Sequence, residues 1–353
     1  MSKLRFGIMG TAWIARMNWK AILRSGRAVV TAVASRDPDR SRRFVEEMQA
    51  AAPFPTAPAA LGSYEELLAS PDVDAVYLPL PTGLRKEWVL RAAAAGKHVL
   101  CEKPCAVDVA DLREMIAACR RRRVQFMDGV MFAHNPRLER IHEVLGDGQS
   151  VGRIKRITAS FTTRVSDQWL LANIRSDSRL EPTGCLGDLG WYPIRFILYA
   201  LDGRLPRAVT GRTLAQRKHR RSPAPVPTDF SGELIFDDDT SAGFYCSYAT
   251  AYQHWAHVDG ASGWLRVDDF VHAASDLESV FTVNGRTIRV KTGGGRPVKG
   301  ETLAQPTNMI RNFARQIASG KLNHAWPDIA LKTQQVVDAC FRSAQAGGKL
   351  RKV

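Results

Sequence analysis

The chain has 353 residues, 45% of them hydrophobic and 24% charged, an ordinary soluble composition long enough for two cores of about 150 residues each. No run of about 18 apolar residues is present to cross a membrane, and Met1-Ser2-Lys3-Leu4-Arg5-Phe6 lacks the apolar segment of a signal peptide, so a cytoplasmic location is expected. The net charge of +15 favours anionic small ligands; because the basic residues fall in short clusters, neither nucleic acid nor a membrane is the expected partner.

Leu4-Arg5-Phe6-Gly7-Ile8-Met9 is a short apolar strand, followed by Gly10-Thr11-Ala12-Trp13-Ile14-Ala15 and a helical pattern over about 14–23. Strand, glycine turn and helix form the context of a dinucleotide fingerprint, in which Gly10 makes the turn and Ala15 is the small helix-packing residue. Ala12 stands where the close-approach glycine is usual. Gly10, Thr11, Ala12, Trp13 and Ile14 are candidate cofactor contacts. The second strand, 29–34, ends in Ser35-Arg36-Asp37, where the adenosine ribose is met. Ser35 and Arg36, with Arg40 one helical turn on, favour NADP(H) over NAD(H), since Arg pairs with a 2′-phosphate. Asp37 is either the competing NAD feature or, before Pro38, a helix cap.

A short helix over 63–68 is capped by Ser63, and the strand 73–78 runs into Pro79-Leu80-Pro81-Thr82, which makes Leu80 and Pro81 candidate contacts at the carboxyl edge of the sheet. A helix over about 85–95 precedes the strand 98–101, which delivers Glu102-Lys103-Pro104; a helix over about 109–121 and a strand over 124–128 follow. Strands alternating with helices imply a doubly wound parallel α/β sheet, a cofactor domain over 1–128. A lysine at the end of a strand faces the crevice in such a sheet, so Lys103 is a candidate beside the nicotinamide. Cys101 and Cys105 match neither a redox nor a zinc spacing, and the histidines form no ligand pair, so free thiols and no metal site are expected.

The segment 127–136 crosses into the second half, 129–353, and a helix over about 137–145 follows. The pattern then changes to long strands over 153–164, 207–214, 230–236, 242–249 and 264–267, alternating as a half-exposed antiparallel sheet does, hence an α+β domain. Gly184-Cys185-Leu186-Gly187-Asp188-Leu189-Gly190-Trp191-Tyr192 opens an apolar helix and sets Asp188 and Tyr192 four residues apart, on one face. The stretch is either a helix N-terminus or a site whose glycines admit a ligand. The basic loop 216–228 is expected to be mobile, 328–344 an amphipathic helix that packs back on the structure, and 349–352 disordered.

The glycine turn, Ser35-Arg36, Glu102-Lys103-Pro104 and Asp188-x-Gly-x-Tyr192, in this order, resemble the Gfo/Idh/MocA family (glucose–fructose oxidoreductase, inositol dehydrogenase, rhizopine catabolism) over essentially the whole chain. Tyr192 in place of histidine resembles the branch of dihydrodiol and xylose dehydrogenases, and Met127-Asp128-Gly129 through His134-Asn135-Pro136 resembles plant-type oxidoreductases. The resemblance implies Lys103, Asp188 and Tyr192 as the catalytic group, and a crossing strand that lines the nicotinamide pocket and brings Asn135 near the substrate. Asn173-Ile174-Arg175 resembles a family Asn-x-Arg, which implies that Arg175 helps to close the pocket over cofactor and substrate. Glu102 joins the cofactor contacts, and the substrate would meet Lys103, Asn135, Arg175, Asp188 and Tyr192. The same resemblance implies a homodimer or homotetramer through an open, mainly antiparallel sheet, where Trp255 and Trp264 serve interface or core. Ala12, Arg85 (where many relatives have histidine) and Cys185 depart from the pattern.

The implied reaction is hydride transfer between nicotinamide C4 and a carbinol carbon of a sugar, sugar derivative or cyclic polyol. Tyr192 would act as the base, its phenolate favoured by the Lys103 ammonium, while Asp188 orients substrate hydroxyls. Two alternatives follow from the same residues: a redox-assisted glycosidase or lyase with recycled NAD(H), and a non-catalytic NADP- or sugar-sensing regulator.

Overall fold

A computed structural model describes residues 2–294 and 302–353. Its first half alternates β1 (Leu4–Met9), α1 (Trp13–Ser25), β2 (Ala28–Ala34), α2 (Pro38–Ala51), β3 (Ala59–Leu61), α3 (Tyr64–Ala69), β4 (Ala75–Leu78), α4 (Thr82–Ala94), β5 (His98–Cys101), α5 (Val109–Arg121) and β6 (Phe126–Asp128). These strands form one parallel six-stranded sheet in the order β3-β2-β1-β4-β5-β6. The inner strands are short unbroken apolar runs because helices cover both faces: Phe6, Ile8, Val76, Tyr77, Val99 and Leu100 are all fully buried. The chain reverses direction between β1 and β4, and a crevice opens there beyond the carboxyl ends of the strands.

The second half contains α6 (Arg137–Gly146), β7 (Ile154–Thr162), α7 (Asp167–Ala172), α8 (Gly184–Asp188), α9 (Trp191–Ala200), β8 (Ala208–Arg217), β9 (Val226–Ile235), β10 (Ser241–Ser247), β11 (Gln253–Gly260), β12 (Trp264–Val267), β13 (Glu278–Val283), β14 (Arg286–Lys291), α10 (Ala304–Ala318), α11 (Ala325–Gln345) and β15 (Arg351–Lys352). Nine strands form a second sheet in the order β14-β13-β12-β11-β7-β10-β9-β8-β15. Every pairing is antiparallel except β7 with β10. The buried helix α9 packs on β7 and β10, and α11 packs on α9, α5, β6 and β8, binding the two halves together.

Three local expectations are corrected. The loop 216–228 shrinks to 218–225, since β8 runs to Arg217 and β9 begins at Val226. The tail is not disordered: Gly347 and Gly348 turn the chain at positive φ, and Arg351 and Lys352 pair with Val209 and Ala208 of β8, so that β15 forms the edge of the sheet. Residues 304–318 form a helix that was not anticipated, although Met309, Ile310, Phe313 and Ile317 recur at helical spacing. Met309, Ile310 and Phe313 of α10 enter the core of the first sheet, with Phe313 5.9 Å from Phe6. All six cysteines are buried and unpaired. Among the described residues, no helix is long and apolar enough to cross a membrane.

His134, on the crossing segment, faces the Asn312 amide on α10 through Nδ1 at 3.1 Å, and burial pushes its imidazole down to about 4. The neutral ring is the folded form, so the unfolded chain, titrating at about 6.5, binds the proton first. Stability is therefore complete above pH about 6.5 and falls as pH drops toward 4, by up to about 1.4 kcal/mol per unit from this one group. A melting series across that range should show a smaller slope in His134→Gln than in the native chain.

Candidate active site

The cofactor crevice is built at the first turn of the chain. Gly10 has φ +105°, and a Cβ there would lie 3.2 Å from Leu80 Cδ2 and 3.6 Å from the Tyr64 hydroxyl, so the glycine keeps the cradle open. Helix α1 begins at Trp13 with Ala12 at its cap and no side-chain acceptor on its first N–H groups. This leaves free donors at the positive end of a helix dipole, where a pyrophosphate is stabilised. Thr11, Ala12 and Ile14 are partly exposed, and Trp13, at 73% exposure, stands open at the rim.

The end of β2 carries the residues expected to meet the ribose. Asp37 caps α2, accepting from Asp39 N at 3.0 Å, so its carboxylate is engaged by its own helix. Ser35 is buried beside it. Arg36 and Arg40 are exposed, and their side chains pair with no carboxylate among the described residues. Gly10 N donates to the Ala34 carbonyl at 2.8 Å, so the end of β2, which leads into Arg36, lies beside the Gly10 turn. The two arginines are a free cationic pair next to a phosphate cradle, and the residues present fit a phosphorylated dinucleotide.

Leu80 is buried, and the Pro81–Thr82 turn is held from the other half of the chain. Thr82 donates to Glu181 through its N–H (3.1 Å) and its hydroxyl (2.7 Å), and Gly83 N donates to the Leu180 carbonyl at 2.9 Å. Glu181 thus caps α4 from outside it. Arg85, one of the departures from the family pattern, is buried and donates to the carbonyls of Leu80 (2.7 Å) and Pro104. It ties two crevice loops together.

The three residues singled out across the crevice meet. Lys103 leaves the end of β5 and its Nζ donates to Asp188 Oδ1 at 2.8 Å and to the Asp188 carbonyl at 2.6 Å. The same ammonium lies 4.6 Å from the centre of the Tyr192 ring. Arg175 pairs with the same Oδ1, and Tyr248 donates to Oδ2 at 2.9 Å. Burial alone would raise the Asp188 carboxyl, but the Arg175 and Lys103 charges and these hydrogen bonds hold it well below the usual range. Asp188 is a fixed anion that anchors Lys103, with each of its oxygens engaged by the protein.

Tyr192 lies on α9 with its ring buried. Burial, followed by the Glu102 and Asp188 charges, pushes its phenol well above 10. Lys103 sits over the ring, and among the described residues no hydrogen bond joins its ammonium to the hydroxyl. The hydroxyl makes no hydrogen bond to the described residues, and the ring packs edge-on against Phe161 at 5.3 Å. Glu102 is buried behind the site and accepts from Tyr77 at 2.6 Å. Asn135 is likewise engaged within the fold, donating to Ser279 at 2.8 Å and accepting from Arg137 N at 3.0 Å.

The glycines of the 184–192 stretch serve the protein's own packing. Gly184 has φ +50°, and a Cβ there would overlap the Pro227 carbonyl; one on Gly187 would overlap Thr183 Oγ1 and come within 3.2 Å of Pro104, next to Lys103, and one on Gly190 would lie 2.5 Å from the Leu186 carbonyl and 3.1 Å from Cys246. They let the start of α8 approach β9 and the Lys103 loop. Sequence reasoning also missed an aromatic strip beyond Tyr192. Phe161 touches Tyr252, His254 and His272, Tyr252 stacks on His272 and bonds its Nδ1 at 2.8 Å, and Tyr252 is 57% exposed. Burial, then the charges of His254 and Lys103, pushes His272 down to about 4. No local sequence signal marks these residues, because three separate segments supply them.

Comparison with known proteins agrees with this architecture. A model described as "Oxidoreductase family, NAD-binding Rossmann fold" matches residues 4–130, and one for the GFO/IDH/MocA C-terminal domain matches 139–266. Over 98% of both chains, the sequence is 40% identical to an uncharacterised oxidoreductase of Rhizobium meliloti and 28% identical to a D-xylose 1-dehydrogenase (NADP(+)) of Haloferax volcanii. Among solved structures it resembles KijD10, a 3-ketoreductase from Actinomadura kijaniata in complex with NADP and TDP-benzene. That match has a TM-score of 0.80 and 28% identity over 97% of this chain and 98% of that one.

Proposed function

The chain belongs to the Gfo/Idh/MocA family of NAD(P)-dependent oxidoreductases, and we propose that it reduces or oxidises one carbon of a sugar, sugar derivative or cyclic polyol with NADP(H). The observation that carries this reading is the convergence of Lys103, Asp188 and Tyr192, with Lys103 Nζ 2.8 Å from the carboxylate and 4.6 Å from the ring. When bound, the nicotinamide supplies or accepts the hydride. The chain's own residues handle the oxygen and its proton. Tyr192, a neutral phenol, gives its proton to the carbonyl oxygen as it becomes an alkoxide. The third N–H of the Lys103 ammonium, the other two being used on Asp188, bonds that same oxygen and stabilises its developing charge. The resting protonation states, acid on Tyr192 and cation on Lys103, suit the reductive direction; the oxidative direction needs the reverse proton transfer.

The Haloferax relative's activity on xylose and the ketone reductase activity of KijD10 support a carbohydrate-type substrate. The exposed Tyr252 ring and the neutral His272 fit the apolar face and hydroxyls of a pyranose. Aldoses, inositols, anhydrosugars, keto-sugars and dihydrodiols, each offered with NADP(H) and NAD(H), should reveal the substrate through the reduced-nicotinamide absorbance. A cofactor that copurifies and turns over without net consumption would favour the redox-assisted glycosidase or lyase.

NADP(H) is proposed over NAD(H) on the free Arg36 and Arg40. Arg36→Ala should weaken NADPH binding about tenfold or more while leaving NADH within about twofold, as read by nicotinamide fluorescence titration. Equal losses for both cofactors would remove Arg36 from the phosphate site. For oligomerisation, the proposed surface is the outward face of the nine-stranded sheet. Arg156, Ser160, Glu233, Tyr245 and Trp255 line a hollow of about 350 Å³ there, and a second copy of the chain is the occupant that the half-apolar face suits.

A further inference from the structure

We infer that Tyr248 is a positioning residue of the site, whose hydroxyl fixes the Asp188 carboxylate so that a single oxygen, Oδ1, is presented to Lys103 and Arg175 together. The inference rests on the proposed role of Lys103 toward the substrate oxygen. Tyr248 directly follows β10 and is 1% exposed. Its backbone is pinned on both sides: its N–H donates to Thr228 O at 2.8 Å, and its carbonyl accepts from Val165 N at 2.9 Å. The ring therefore has a fixed base, and its O–H reaches Asp188 Oδ2 at 2.9 Å.

The other two side-chain partners of Asp188 converge on Oδ1: Lys103 at 2.8 Å and the Arg175 guanidinium. The terminal torsion of an aspartate is soft, so two cations gathered at one oxygen leave the plane of the carboxylate free to rock about that contact. A charge-assisted bond to the other oxygen fixes the plane, and with it the position of the shared oxygen. With Oδ1 fixed, the Lys103 ammonium has one N–H on Oδ1 and one on the Asp188 carbonyl, and its third has a defined direction over the Tyr192 ring. The groups facing Asp188 are Lys103 from the end of β5, Arg175 from the 174–176 turn, Tyr248 from the end of β10, Tyr192 from α9 and Cys185 on its own helix. Burial, then the Asp188 charge, keeps the Tyr248 phenol well above 10, so it remains a donor through neutral and alkaline pH.

The test needs no substrate. The full-length protein is labelled with tyrosine carrying carbon-13 at Cζ, which reports on all 7 tyrosines, and the resonance lost in Tyr192→Phe assigns Tyr192. In Tyr248→Phe the Tyr192 resonance should move in the same direction as in Lys103→Met, because the cation over its ring has shifted. A purely structural Tyr248 would leave Tyr192 where it is in the native protein, and that result overturns the inference. Should Tyr248→Phe melt too low to study, Tyr248→Met fills the space without a donor and carries the same two outcomes. On a sugar found by the screen, kcat should fall about tenfold in Tyr248→Phe with the KM for NADPH within twofold. Absence of turnover on every sugar would defeat the proposed function and leave the resonance test standing.

Discussion

Tyr192→Phe is expected to reduce kcat by about 10²–10⁴-fold, the range for loss of a positioned proton donor, with NADPH affinity and melting temperature almost unchanged. The substitution removes one oxygen. The ring that packs on Phe161 at 5.3 Å and lies beneath Lys103 at 4.6 Å remains. The hydroxyl makes no hydrogen bond to the described residues, so its loss leaves no partner stranded. Lys103→Met should lower kcat as well, but with an added cost to stability, because it leaves the buried Asp188 with one cation fewer. That contrast separates the two roles: one variant silences chemistry alone, the other silences chemistry and loosens the site. Steady-state kinetics, a fluorescence titration with NADPH and a melting curve on each variant decide it. More than about a tenth of native turnover in Tyr192→Phe would move the proton to another donor.

The pH dependence sharpens the same argument. Burial and the Glu102 and Asp188 anions hold the Tyr192 proton well past pH 10, and Asp188 stays ionised far into acid. Neither group changes state in the neutral range. Ketone reduction should therefore not decline between neutral pH and about 10 for lack of a proton on Tyr192, whereas a lysine-activated phenolate would have shown a rising oxidative limb near neutrality.

The cofactor half was legible from sequence because its signals are local. Apolar runs such as Ala75–Leu78 read as strands buried on both faces, and Gly10 before a helical pattern marks a phosphate turn within six residues. Asp37 was ambiguous for a physical reason: a carboxylate after a strand and before Pro38 suits both a ribose and a cap, and the 3.0 Å bond to Asp39 N shows that it makes the cap. Local signals were also overlooked. Asn284-Gly285 between two β-branched runs makes a two-residue turn with both residues at positive φ, joining β13 to β14. The glycines at 184, 187 and 190 were visible, but what they make room for was not, since Pro227, Pro104 and Cys246 come from distant segments. Tyr248 was invisible for the same reason. It lies 60 residues from Asp188 in sequence, and only the pairing of β10 with β7 and β9 carries it there.

Arg195→Leu should destabilise the fold more than any of the substitutions above, lowering stability by about 3–5 kcal/mol and the melting temperature by on the order of 10 °C. Arg195 on α9 donates to Asp128 Oδ2 at 2.7 Å and to Thr333 on α11 at 2.7 Å, and both members of the ion pair are almost wholly buried. Asp128 ends the last strand of the first sheet, so this pair fastens that sheet to the helices of the second half, one turn along α9 from Tyr192. Removing the guanidinium leaves a carboxylate without a cation in an apolar surround, and the cost is mainly that stranded charge, not the lost attraction. The double variant Asp128→Leu/Arg195→Leu should accordingly recover much of the loss, giving a coupling energy of a sign and size that a denaturation cycle can read. If the double variant is instead as unstable as Arg195→Leu alone, the lost attraction carries the cost and the stranded-charge account is wrong. Because Lys103 and Tyr192 stand on opposite sides of the junction that Arg195 closes, the surviving Arg195→Leu protein should also turn over more slowly than its folded fraction accounts for, and kcat corrected for that fraction measures how far the crevice depends on this pair for its alignment.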